Sequence, residues 1–215
     1  MQRNVLVTGF EPFGGESVNP SAQVALALHG RVIEGCNVVG VVLPCVFGEA
    51  QLALRKHIRR VKPELVICLG QAGGRASITV ERVAINIDDA RIADNAGQRP
   101  IDQHIASKGP VAYWSTLPIK AIVVALKEHG IAAEVSQTAG TFVCNHVFYA
   151  LMRMLRRKAV RGGFVHIPYA PEQVTSMDPK PPSMPVEMVS RGIELVISIS
   201  LQTDQDVRVG GGATH

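Results

Sequence analysis

Glu64-Leu65-Val66-Ile67-Cys68-Leu69-Gly70 is an apolar run closed by glycine. A strand with one wet face alternates apolar and polar residues, and this run does not. It predicts a strand covered on both sides, as in the parallel sheets of α/β proteins. Just upstream, Phe47 to Val61 predicts an amphipathic helix with Leu52, Leu54 and Ile58 as its stripe. Earlier still, Val5 to Phe10 predicts a buried strand and Glu11 to Gly15 a loop. Asn19-Pro20 then caps and opens a helix that runs through Leu28 and stops at Gly30. Val38 to Pro44 predicts a second strand. Strand, loop and helix in this order open an α/β unit.

Downstream, Ala76 to Ile87 alternates and predicts a strand with a bulge near Glu81. Glu81 lies in a largely apolar segment, where a carboxylate without a partner is costly. Residues 88 to 109 predict a long polar loop, and such loops in compact domains often carry function. Leu117 to His129 predicts a helix and Ala132 to Gln137 a short strand. Ala139-Gly140-Thr141-Phe142-Val143-Cys144-Asn145-His146 then turns into another helix. Cys144 falls at or just before that helix's start, where free N–H groups and the dipole favour a thiolate. Gly162 to Tyr169 predicts a strand with His166 near its C-terminal end, and Val186 to Leu201 a last helix. In open α/β sheets ligands bind at the carboxyl ends of strands, and Phe10, Gln71 and His166 all fall there. The stretch after Thr203, with Gly210-Gly211-Gly212, predicts a mobile tail (residues 204–215) behind a single catalytic domain of residues 1–203.

With 215 residues the chain is long enough for one substantial core. Its 47% hydrophobic and 19% charged content suits a soluble globular protein. Net charge is only +4, and no aromatic residues interleave the basic run Arg55 to Arg60. A solvated helix face explains that run better than nucleic acid does. No apolar run is long enough to span a membrane, and the first residues carry no signal-peptide pattern. Cys36, Cys45, Cys68 and Cys144 are widely spaced, with no C-x-x-C pair. That spacing argues against a disulfide scaffold or a metal site and suits a reducing, cytoplasmic setting.

Three residues are chemically complementary. Cys144 can supply a nucleophile, His166 can take and return a proton, and Glu81 can fix the imidazole tautomer. Such chemistry requires no metal and no organic cofactor. Spacing alone does not select His166 from the chain's 7 histidines. His146 is a rival two residues from Cys144, although on a helix it points away from a thiol at the cap. Two other readings stand beside this one. Gly70-Gln71-Ala72-Gly73-Gly74-Arg75 could cradle phosphate in a nucleoside-processing enzyme, leaving Cys144 idle, although it matches neither G-x-G-x-x-G nor the Walker pattern. Arg55 to Arg60 and Arg153 to Arg161 could serve a non-enzymatic binding protein.

Gly70-Gln71-Ala72-Gly73 followed by Ile78-Thr79-Val80-Glu81-Arg82-Val83-Ala84-Ile85-Asn86 resembles the glutamate signature of the pyroglutamyl peptidase I family. Gly140-Thr141-Phe142-Val143-Cys144-Asn145 with Tyr149 resembles its cysteine signature. Phe164 to Gln173 resembles its histidine segment, and Thr8 to Gly15 its N-terminal loop. The likeness spans residues 4 to 202 in order. Ala93 and Ala170 stand where the family pattern has Pro and Leu, and neither carries chemistry.

The resemblance implies a three-layer α/β/α sandwich with a mixed, mostly parallel sheet, of the phosphorylase/hydrolase-like kind. It implies removal of an N-terminal pyroglutamyl residue from a peptide substrate, with Glu81, Cys144 and His166 as the triad. It also implies a cytoplasmic homo-oligomer, tetramer or dimer. Pyroglutamate is a flat, neutral lactam, so its pocket needs apolar walls and partners for one N–H and one C=O. Phe10, Phe13 and Phe142 are expected to wall it, and Gln71 to pair with the lactam edge. The Cys144 N–H and Arg91 are expected near the oxyanion. Core packing remains open for the phenylalanines, a water-facing position for Gln71, and a surface charge for Arg91.

Overall fold

The computed structural model describes residues 3–212. Its elements follow the chain as β1 (Asn4–Phe10), α1 (Pro20–Ala27), β2 (Val32–Ile33), β3 (Cys36–Leu43), α2 (Glu49–Val61) and β4 (Leu65–Gln71). Then come β5 (Ile78–Glu81), β6 (Val83–Ile85), β7 (Ala112–Trp114), α3 (Ile119–Glu128), β8 (Ala133–Ser136), α4 (Val143–Leu155), β9 (Arg161–Ile167) and α5 (Val186–Gln202). Seven strands form one sheet in the order β2-β3-β1-β4-β9-β5-β8. The four central strands β3, β1, β4 and β9 are parallel, whereas β5 runs antiparallel to β9 and carries β8 parallel to itself.

Period-two geometry explains the unbroken run in β4. Leu65, Ile67 and Leu69 enter the core under α1, α3 and α5, while Val66 and Cys68 enter the core under α2 and α4. Both faces of the sheet are covered, as expected for an α/β/α sandwich. Asn19 caps α1 as its sequence predicts, with its side chain accepting from Ser21 N at 3.0 Å.

Two local expectations need correction. The buried stripe of α2 is Ala50, Leu54 and Ile58, and Leu52 is 60% exposed. Two residues on a helix are about 200° apart, so Leu52 and Leu54 cannot share a face. The segment around Glu81 is no bulged strand. Arg82 N makes a last bond to Ser136 O at 2.9 Å, and the chain then leaves for a second, two-stranded sheet of β6 and β7. The tail residues described make specific contacts with the body. Asp206 accepts from Lys120 N and Ala121 N at the start of α3, and Gly211 O accepts from Arg82 and Gln137. The remainder of the expected tail, residues 213–215, lies outside the described residues.

Among the described residues no helix is long and apolar enough to cross a membrane. None of their His, Cys, Asp and Glu side chains form a group that could hold a metal ion.

Candidate active site

The site lies where the parallel strands meet antiparallel β5. Thr79 of β5 is opposite His166 of β9, so the two side chains share a face. Two residues on, Glu81 shares it as well. His166 Nδ1 donates to Glu81 Oε1 at 2.7 Å, with the carboxylate fully buried and the histidine 4% exposed. Among the described residues His166 Nε2 has no hydrogen-bond partner, and the ring faces a cavity of about 600 Å³.

Cys144, on α4, lines the same cavity. It occupies the first turn of α4 rather than the position before it. Gly70 of β4 is the in-register neighbour of His166, and a Cβ there would lie 2.9 Å from Cys144 Sγ and 2.8 Å from Phe164 Cζ. Only a residue without a side chain lets the sulfur close on the sheet beside the histidine. The approach of α4 is fixed by Asn145, whose side chain bonds Ile85 N, Ile85 O and Ile87 O at 2.9–3.0 Å. Thr141 Oγ1 donates to Asp89 O at 2.7 Å and ties the turn before Cys144 to the same segment.

Desolvation works against the helix start at the thiol. Enclosure by protein pushes Cys144 up to about 12, and the Glu81 charge pushes the same way. The Arg75 charge and the backbone N–H of Cys144 oppose this. The helix start is present, yet desolvation outweighs it. A base within reach of the sulfur would offset that penalty.

Arg75 received no role from the sequence. Its Nη1 donates to Glu81 Oε1 at 2.7 Å and to Thr79 Oγ1, and its Nη2 donates to Thr138 O at 3.1 Å. Glu81 Oε1 thus serves both Arg75 and His166, while Oε2 is buried with no partner. The signal was available: a carboxylate inside an apolar segment requires a cation or several donors.

The other expected residues divide. Phe13, Gln71, Arg91 and Phe142 line the cavity together with Cys144 and His166. Phe13 and Phe142 have ring centroids 5.9 Å apart, and Phe47 meets Phe142 edge-on at 5.3 Å. Phe142 is therefore both a wall and a packed ring. Gln71 Oε1 accepts from Gln173 at 2.9 Å, leaving its amide N–H groups for the cavity. Phe10 is not among the lining residues; it is buried against Phe164 at 6.4 Å and supports the floor.

Gly73, after β4, makes room for the Tyr169 ring, since a Cβ there would lie 2.3 Å from the Tyr169 hydroxyl. Arg55, Arg59, Arg153, Arg156 and Arg157 edge a separate groove that shares no residue with the cavity.

Comparisons with known proteins place relatives of this chain in one family. A family model described as pyroglutamyl peptidase matches residues 3–203. A pyrrolidone-carboxylate peptidase of Bacillus mycoides is 53% identical over 215 residues, covering 99% of this chain and 100% of its own. That of Erwinia tasmaniensis is 55% identical over 213 residues, with the same coverage. The crystal structure of pyroglutamyl peptidase I from Bacillus amyloliquefaciens superposes with a TM-score of 0.94 at 45% identity, covering 98% of this chain and 100% of that one. The pyrrolidone carboxyl peptidase from Thermococcus litoralis gives 0.93 at 40% identity, covering 97% and 100%.

Proposed function

The chain belongs to the pyroglutamyl peptidase family and has the activity of that family; from this premise we propose that Cys144, His166 and Glu81 carry out the cleavage of an N-terminal pyroglutamyl residue. The observation that carries the assignment is the 2.7 Å bond from His166 Nδ1 to Glu81, which turns the ring's other nitrogen toward the cavity shared with Cys144.

The thiol proton passes to His166 Nε2 as Sγ attacks the pyroglutamyl carbonyl carbon. Glu81 holds Nδ1–H and stabilises the imidazolium. The tetrahedral intermediate collapses as the C–N bond breaks, and His166 returns its proton to the leaving amine. A thioester remains. Water attacks it with His166 as base, the C–S bond breaks, and free pyroglutamate leaves with the thiol restored.

The first N–H groups of α4 have no partner within the helix, so the Cys144 N–H is one donor to the oxyanion. Arg91 is a second cationic group lining the cavity. Phe13 and Phe142 flank the flat lactam, and the free amide N–H of Gln71 suits its carbonyl. The substrate is a peptide, and the mechanism uses neither metal nor cofactor. We read residues 1–203 as one catalytic domain of a cytoplasmic homo-oligomer, tetramer or dimer, that engages neither nucleic acid nor membrane. A thiol mechanism requires reduced cysteine, and all four cysteines are free.

The test is release of a chromogenic amine from its pyroglutamyl amide with reductant present. Activity is expected in the wild type, unaffected by chelators, and abolished in Cys144→Ala. Full turnover by Cys144→Ala would end the assignment. A prolyl amide lacks the lactam carbonyl and should react far more slowly; equal rates would overturn the lactam-edge contacts.

A further inference from the structure

Resting on the triad just assigned, we propose that Arg75 is a positioning residue: its guanidinium, docked on Glu81 Oε1, screens the Cys144 sulfur from the carboxylate's charge and holds that oxygen in place for His166. Three observations converge on it. Glu81 is completely buried, and its single bonded oxygen serves two donors at 2.7 Å each, one on Arg75 and one on His166. A buried carboxylate beside a thiol opposes formation of the thiolate, because like charges would be brought together in a poorly screened interior. Arg75 is the one cation whose charge acts on Cys144 in the opposite sense.

The geometry suits the role. Arg75 is held from two sides, by Thr79 Oγ1 on β5 and by Thr138 O in the segment leading to Cys144. The fork therefore spans the two stretches that carry the base's partner and the nucleophile. It reaches Oε1 without touching the histidine nitrogen that faces the cavity. A neutral side chain at 75 would leave the carboxylate with one partner, its charge uncompensated, and its oxygen free to turn away from the ring.

Three variants test this: Arg75→Met, Arg75→Lys, and Arg75→Met in a Glu81→Gln background. Turnover is measured with a pyroglutamyl amide, and the rate of Cys144 alkylation by iodoacetamide at fixed pH is read alongside, with Cys144→Ala as the blank. Arg75→Met should lower kcat about 30-fold with KM changed less than about threefold, and should slow alkylation about tenfold. Arg75→Lys keeps the charge and loses the fork, so it should recover most of the alkylation rate and about a third of kcat. In the Glu81→Gln background no carboxylate remains to be offset. There Arg75→Met should cost less than about threefold, a coupling that a simple loop tether would not give.

Equal losses in both backgrounds, or an unchanged alkylation rate, would overturn the proposal. If Arg75→Met does not fold, Arg75→Gln against Arg75→Lys gives the same contrast, and equal kcat in those two would likewise end it. These results are separable from the assignment of the nucleophile, which Cys144→Ala tests.

Discussion

Among the described residues two histidines rest on buried carboxylates, and one of them belongs to the proposed machinery. His166 bonds Glu81 at 2.7 Å and His146 bonds Asp88 at 2.8 Å. Both rings are buried, and both carboxylates leave their second oxygen unpartnered. The difference is the other ring nitrogen. His146 Nε2 accepts from Gly48 N at 3.2 Å. A backbone N–H can only donate, so Nε2 carries no proton and Nδ1 must donate to Asp88. Every polar position of that ring is used, and it ties α4 to the loop before α2 and to the segment after β6. His166 spends one nitrogen on Glu81 and keeps the other for the cavity. An imidazole on a carboxylate is thus not enough to make a catalyst; a vacant nitrogen beside a sulfur is what separates the two.

The contrast can be broken most sharply at the rings themselves. His166→Ala should lower kcat about 10⁴-fold with the fold retained. His146→Gln should leave kcat within about threefold. It should cost about 2–4 kcal/mol of stability, read as a fall in melting temperature of about 5–12 °C. A kcat collapse in His146→Gln with unchanged melting would exchange the two roles. Next come the carboxylates: Glu81→Gln should cost about 10³-fold in turnover, whereas Asp88→Asn should cost mainly stability. An unchanged rate in Glu81→Gln would remove it from the mechanism.

Gly70→Ala probes the sulfur's position and should lower kcat/KM about 100-fold, because displacement by about 1 Å is enough to spoil attack. The smallest effect is a pH dependence. Cys144 is pushed up to about 12 by burial, so its thiolate fraction rises across the whole neutral and mildly alkaline range. Alkylation of the free enzyme should keep increasing through pH 9. A plateau below pH 7 would mean that the helix start governs the thiol after all.

Much of this was legible before any coordinates. The strand of β4 and the cap at Asn19 follow from apolar pattern and turn chemistry, whereas the choice of Glu81, Cys144 and His166 rested on the resemblance to the pyroglutamyl peptidase I family. The discomfort of Glu81 in an apolar segment was visible too, but not which cation relieves it, because Arg75 reaches it through the path of a turn. The departure of the chain after Glu81 was hidden for a different reason. A phase change in alternation looks the same whether a strand bulges or passes to another sheet. The thiol misled because a helix start is a local feature, whereas its enclosure depends on elements distant in sequence. The structural role of His146 was hidden because its partner Gly48 is 98 residues away from it.

Gly70 has a consequence for lineages as well as for catalysis. Position 70 is buried in the middle of the sheet, where an alanine Cβ would press on both the sulfur and the Phe164 ring. A single codon change there would keep all three reactive side chains while crowding the sulfur out of its place. Among descendants of such a protein, the residue at this position would divide working enzymes from silent look-alikes, even where all three reactive side chains survive.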